Sequence, residues 1–147
     1  MAEDSIKGEK DLQTLLSTMQ PSLSPETYVF LTLPKPLALL LFSDAALLSS
    51  LAPQLLFEES EGTTIITTQE RAAAQGFNAD QRIFPSKKIS LSVHSDLEAV
   101  GLTAAISTAF TEAGISANVV AAFYHDHVFV PEDRAEDAME VLRLLMS

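Results

Sequence analysis

The chain has 147 residues, 47% of them hydrophobic, no cysteine, and a formal charge of -11 from nine basic and twenty acidic side chains. That composition can build a real core and excludes intrinsic disorder. It also excludes disulfides and thiolate metal sites, and it disfavours any phosphate backbone as a partner, because like charges repel.

In chain order, residues 1–8 read as a charged tail without the basic start and apolar centre of a signal peptide, so the expected location is cytoplasmic. Leu12, Leu15, Leu16 and Met19 recur at i, i+3, i+4 and i+7, the spacing of a short amphipathic helix. Pro21 and Pro25 frame a linker after it. Tyr28–Leu33 is a strand, and Leu37–Phe42 is either a buried strand or the run-in to a helix. Asp44 can cap a helix through Leu51. The apolar stretch from Leu37 to Phe57 is broken by Ser43, Asp44, Ser49, Ser50 and Pro53. It falls short of the run of about 20 apolar residues that spans a membrane. Leu55–Glu59 and Thr63–Thr67 form a hairpin around Gly62, and Thr67 to Glu70 has capping-box spacing for a helix that Gly76 ends.

Ile83-Phe84 is a brief strand before Pro85, and Ile89–His94 alternates as a half-buried strand does. Ser95 to Glu98 fits a second capping box. From it a helix runs with Leu102, Ile106 and Phe110 on one face, and Gly101 falls in its first turns. Glycine inside a helix costs about 1 kcal/mol against alanine, so close approach of a ligand or another backbone is expected there. Gly114 leaves the helix, and Ile115–Phe123 follows as a nearly continuous apolar strand. Tyr124 to His127 turns, and Val128–Val130 returns. The last helix opens near Pro131 and carries Ala135, Ala138, Met139, Leu142 and Met146 as its apolar face.

The order strand, helix, hairpin, helix occurs twice, and Thr63–Thr67 lies over Asp126–Val130 at an offset of 63 that also brings Arg71 onto Arg134. The expected fold is therefore α+β: two ferredoxin-like βαββαβ units over residues 27–85 and 86–147, behind a tail and short helix at 1–26. The second unit is one strand short, and that strand must come from elsewhere in the chain or from a partner.

Chemistry is sparse. His125 and His127 sit at i and i+2, with His94 a conceivable third metal ligand, but on a turn such side chains need not converge. His94, Ser95 and Asp96 hold the side chains of a nucleophilic triad, yet neighbours along a chain point apart and there is no G-x-S-x-G elbow. No metal, cofactor or catalysis is expected. Asn118, near the start of an apolar strand, must be hydrogen-bonded to backbone or to a ligand.

The segments HSDLEAVGLTAA, GISANV, YHDH and FVP, in that order, resemble the C-terminal half of a small family of tandem ACT-domain proteins. FEESEGTTIITT resembles the N-terminal half more loosely. The resemblance implies antiparallel sheets with helices on one face, and a non-enzymatic regulatory module that senses a small molecule, most plainly an amino acid. The alternative is a structural or protein-interaction module without a ligand. The resemblance places the ligand where the first strand meets the first helix, at His94, Ser95, Asp96, Val100 and Gly101, with help from Ile115, Ser116 and Asn118. Exposed sheet edges and high aliphatic content add the expectation of a homodimer.

Overall fold

The amphipathic spacing of residues 12–19 is realised as α1 (Leu12–Thr18), opened by Asp11, whose carboxylate accepts from the Thr14 amide at 3.0 Å. The computed structural model describes residues 11–92 and 101–147. These fall into two compact units: unit 2 is Glu26–Ser86, and unit 1 combines the residues up to Pro25 with Lys87–Ser147.

In unit 2, β2 (Tyr28–Leu33) turns Val29, Leu31 and Leu33 inward at period 2. The chain leaves it through Pro34, and the ambiguous apolar run becomes a helix, α2 (Lys35–Ser43). Prolines at a helix start cost nothing, since the first amides have no partner anyway. Asp44 then caps α3 (Ala45–Leu51), accepting from the Ala46 and Leu47 amides at 3.1 Å each. The hairpin follows as β3 (Leu55–Glu58) and β4 (Thr63–Thr68). The cap of α4 (Gln69–Ala74) is Thr68, not Thr67. Thr67 still belongs to the strand, and its hydroxyl donates to the Leu51 carbonyl at 2.5 Å. The two strands expected on either side of Pro85 are one, β5 (Ile83–Leu91). Phe84 at φ 53 and a register shift opposite Tyr28 and Phe30 mark the irregularity that accommodates the proline. The order is β3-β4-β2-β5, all antiparallel, with α2, α3 and α4 packed on one face. This is the βαββαβ arrangement.

In unit 1, the later residues of β5 lead towards α5 (Leu102–Glu112), β6 (Asn118–Ala121), β7 (Asp126–Pro131), a short 3-10 turn (Glu132–Arg134) and α6 (Ala135–Met146). The strand order runs β6-β7-β5. The fourth strand, which the sequence leaves unassigned, is β1 (Pro21–Leu23), pairing antiparallel with Leu91, Ser90 and Ile89. The segment expected to be a linker is thus a strand of the unit farthest from it in sequence. Leu15 and Met19, both fully buried, join Ile89, Ile106, Phe110 and Leu142 in one core. The apolar strand expected over Ile115–Phe123 shrinks to the four residues of β6, an edge strand with exposed ends. Ile115 stays in the core, while Phe123 and Tyr124 are exposed and meet edge-on, 4.9 Å between ring centres.

The repeat survives at atomic detail. β4 and β7 have identical burial patterns, position by position. The aligned arginines do the same job. Arg71 Nη1 reaches the Ser49 and Ser50 carbonyls at 3.5 and 3.4 Å, at the end of α3. Arg134 reaches the Ala113 and Gly114 carbonyls at 3.4 Å each, at the end of α5. A guanidinium there answers orphan carbonyls and the negative end of the helix dipole.

Candidate functional site

The helix expected to start at Ser95 is described only from Leu102 onward, and Gly101 is its N-cap rather than part of its first turns. The reason is conformational: Gly101 has φ 98 and ψ -17, a left-handed backbone that no helix interior holds. What approaches it is a side chain of α1. A Cβ at position 101 would sit 3.3 Å from Leu12 Cδ2. A glycine offers no side-chain cap, so the first amides of the eleven-residue α5 receive none from it. His94, Ser95, Asp96 and Val100 lie outside the described residues, as does the second capping box.

At the far end of α5, Gly114 adopts φ 69 and the Ile115 amide donates to the Phe110 carbonyl at 2.9 Å, closing the helix. Ile115 is buried in the unit 1 core, whereas Ser116 and Asn118 are exposed. Asn118 is not enclosed by an apolar strand: it stands at the end of edge strand β6, opposite Phe129.

Of the His-Asp-His run, only His125 lies in the turn; Asp126 and His127 belong to β7. Asp126 is buried, and burial pushes its carboxyl above the usual range against the pull of His125. His127 Nδ1 stands 2.8 Å from Ser90 Oγ on β5. Burial holds its imidazole below the ordinary value, with Lys88 and His125 adding to the effect. His125 Nδ1 is buried with no hydrogen-bond partner among the described residues. The described residues contain no group of three His, Cys, Asp or Glu side chains placed to hold a metal ion.

Two family profiles, each of an ACT domain, match the sequence, one over residues 7–83 and the other over residues 84–143. The chain belongs to the ACT-domain family. A solved Vibrio cholerae protein of unknown function, described as a possible transport protein, is 38% identical. The match covers 94% of this chain and 98% of that one, with a TM-score of 0.76. The regulatory subunit of aspartate kinase from Thermus thermophilus, solved free of ligand, shares the fold at 14% identity and a TM-score of 0.66. That match covers 90% of this chain and 99% of the subunit. Escherichia coli aspartokinase III, solved with aspartate and ADP, is similar at 11% identity and a TM-score of 0.63. There 86% of this chain matches 33% of the kinase. No curated protein matches the sequence.

Within the first ACT unit, two hollows have no counterpart in the sequence reading, whose site residues all lie in the second. The larger, about 690 Å³, is lined by Thr27, Tyr28, Gln54, Thr68, Glu70 and Arg71 among others. It sits where β2 begins and β4 passes into α4, and it mixes a guanidinium, carboxylates and neutral donors. The only clue in the sequence is the alignment of Arg71 with Arg134. The smaller, about 380 Å³, runs beside α2, between Leu39 and Phe42 on one wall and Glu58 and Glu59 on the other, with Lys35 also lining it. Among the described residues no helix is long and apolar enough to cross a membrane.

Proposed function

We propose that this tandem ACT protein is a non-catalytic regulatory module that binds an amino acid at the start of α5. The reading rests on one observation: ACT units account for residues 7–143, and the same fold serves as the regulatory subunit of an aspartate kinase. The local chemistry is suitable. The N-terminal end of α5 is positive and its first amides receive no cap from Gly101, so a carboxylate is favoured there. The reading also assigns His94, Ser95, Asp96 and Val100 to the ligand, with Asp96 as the counter-charge for an α-amino group. Ser116 and Asn118 supply exposed polar groups at the start of β6, over the packing provided by Ile115. No cofactor is required.

A thermal-shift screen of the twenty amino acids tests it. A ligand at 100 times its dissociation constant adds about 2.7 kcal/mol of stability. A Ser116→Ala/Asn118→Ala variant should weaken that ligand at least tenfold while melting like the parent. No shift with any amino acid would overturn the reading and leave a protein-interaction module. The exposed apolar residues of α2 favour that second role.

A further inference from the structure

The two repeats differ where a charge has lost its partner. The offset of 63 that lays Arg71 over Arg134 also lays Ala72 over Ala135 and Ala74 over Asp137. Ala72 and Ala135 are both buried, and both arginines reach carbonyls at the end of the preceding helix. The two guanidiniums are not equally occupied. In unit 1 every nitrogen of Arg134 is engaged: Nε donates to Asp137 Oδ2 at 2.9 Å, Nη1 to the Gly114 carbonyl and Nη2 to the Ala113 carbonyl. In unit 2 only Nη1 of Arg71 is engaged, through contacts of 3.4 and 3.5 Å. Among the described residues Nε and Nη2 of Arg71 have no acceptor, and Ala74 stands where unit 1 has its carboxylate.

The space beside that arginine is open. Arg71 and Ala74 both line the hollow of about 690 Å³ in unit 2, and so does Ser50, whose carbonyl the guanidinium reaches. The charged end of Arg71 therefore stands at the wall of the hollow. Nε and Nη2 form one edge of a planar fork, the edge that pairs a carboxylate through two parallel hydrogen bonds. Gln69 and Glu70 line the same hollow and carry acceptors for a hydroxyl or an ammonium, while Tyr28 and Ala74 give it an apolar part. A volume of this order suits a small molecule. Glu70 and the net charge of -11 limit the ligand's own charge: a single carboxylate is tolerated at Arg71, whereas a phosphate is repelled more strongly.

We infer that the hollow of unit 2 is a ligand site for a small organic acid. Its single carboxylate pairs with Arg71, in the place that Asp137 holds beside Arg134, and its α-hydroxyl or α-ammonium group is met by Gln69 and Glu70. The inference does not depend on any ligand at α5.

Lactate and alanine are the probes, alike in carboxylate and carbon skeleton and different in the α-substituent. A ligand of about six heavy atoms reaches a dissociation constant on the order of 1 mM. Titrated into the isotopically labelled full chain, either acid should shift the backbone amides of Ser50, Gln69, Glu70, Arg71 and Ala74. A preference for alanine would identify the α-group as an ammonium at Glu70, and a preference for lactate as a hydroxyl. Ala74→Asp supplies the carboxylate that unit 1 already has, and should weaken both acids about tenfold or more with the rest of the spectrum unchanged. Asp137→Ala should leave the affinity as it is. Arg71→Met should abolish binding, but it also strips the end of α3 of its cation, so Ala74→Asp, which keeps the arginine, is the deciding variant. Neutral lactamide should shift none of these amides, and inorganic phosphate should bind more weakly than either acid. Unmoved amides with both acids, an undiminished affinity in Ala74→Asp, equal shifts with lactamide, or tighter binding of phosphate would each overturn the inference. Shifts confined to the start of α5 would also overturn it, while leaving the site proposed there intact.

Discussion

Gly101→Ala separates two pictures of the α5 region by sign. If Gly101 lay inside a helix, alanine would stabilise the protein by about 1 kcal/mol. In the structure it is an N-cap at φ 98, where an L side chain is strained by about 1–3 kcal/mol. The new methyl would also press on Leu12 Cδ2 at 3.3 Å, a flexible side-chain end that can yield a few tenths of an ångström. The strain therefore dominates, and we expect a net loss of about 2 kcal/mol. For a chain of this size that lowers the melting temperature by about 4–8 °C. Calorimetry of the parent, Gly101→Ala, Leu12→Ala and the double variant checks it. Removing Leu12 should leave most of the glycine penalty in place, because that penalty belongs to the backbone. A melting temperature that rises in Gly101→Ala would refute the cap assignment. The same argument rules out a large residue at 101 as a clean way to block a ligand, since it would strain the backbone and strike Leu12.

The repeat and β7 each give further predictions. Arg71→Met and Arg134→Met each remove a cation from the end of a helix, and each should cost about 0.3–1 kcal/mol in denaturant melts. A loss at Arg134 alone would show the pairing to be nominal. His127 has a folded value below its ordinary 6.5, so the unfolded chain takes up its proton first and stability falls as pH drops through 6.5. Asp126 is shifted the other way: the unfolded chain ionises first above 3.8, leaving a penalty at neutral pH. Hence His127→Gln should flatten the decline below pH 6.5, and Asp126→Asn should raise the melting temperature at pH 7. An unchanged pH profile in the first, or a drop in the second, counts against the burial of these groups.

Periodic elements were legible from residue spacing because their signal is local. The stripes of α1, α5 and α6 and the hairpin around Gly62 needed no tertiary information. The features that escaped depend on partners distant in the chain. Nothing in Pro21–Leu23 declares a strand until Leu91, Ser90 and Ile89 are beside it. Pro85 looks like a terminator, but a bulge lets β5 run through it. The apolar character of residues 115–123 suggested a buried strand, whereas Phe123 lies exposed beside Tyr124 in the turn. Of the proposed site residues, the sequence singled out Gly101 but put it inside the helix, and it set Asn118 among apolar neighbours where the structure leaves it exposed. It did not reveal the hollows of unit 2, which arise from the ends of several elements and leave no contiguous motif.

That β1 completes the unit farthest from it has a consequence for synthesis. α1 and β1 leave the ribosome well before their partners in α6, which are translated more than a hundred residues later. At about 5–20 residues per second, the apolar stripe of Leu12, Leu15, Leu16 and Met19 waits roughly 6–25 seconds for its core. Meanwhile Glu26–Ser86 has every strand of its own sheet and can close as soon as β5 emerges. Nascent chains halted after Ser86 should therefore resist protease within Glu26–Ser86 but be cut readily near Leu15. The waiting stripe is a place for a chaperone to hold.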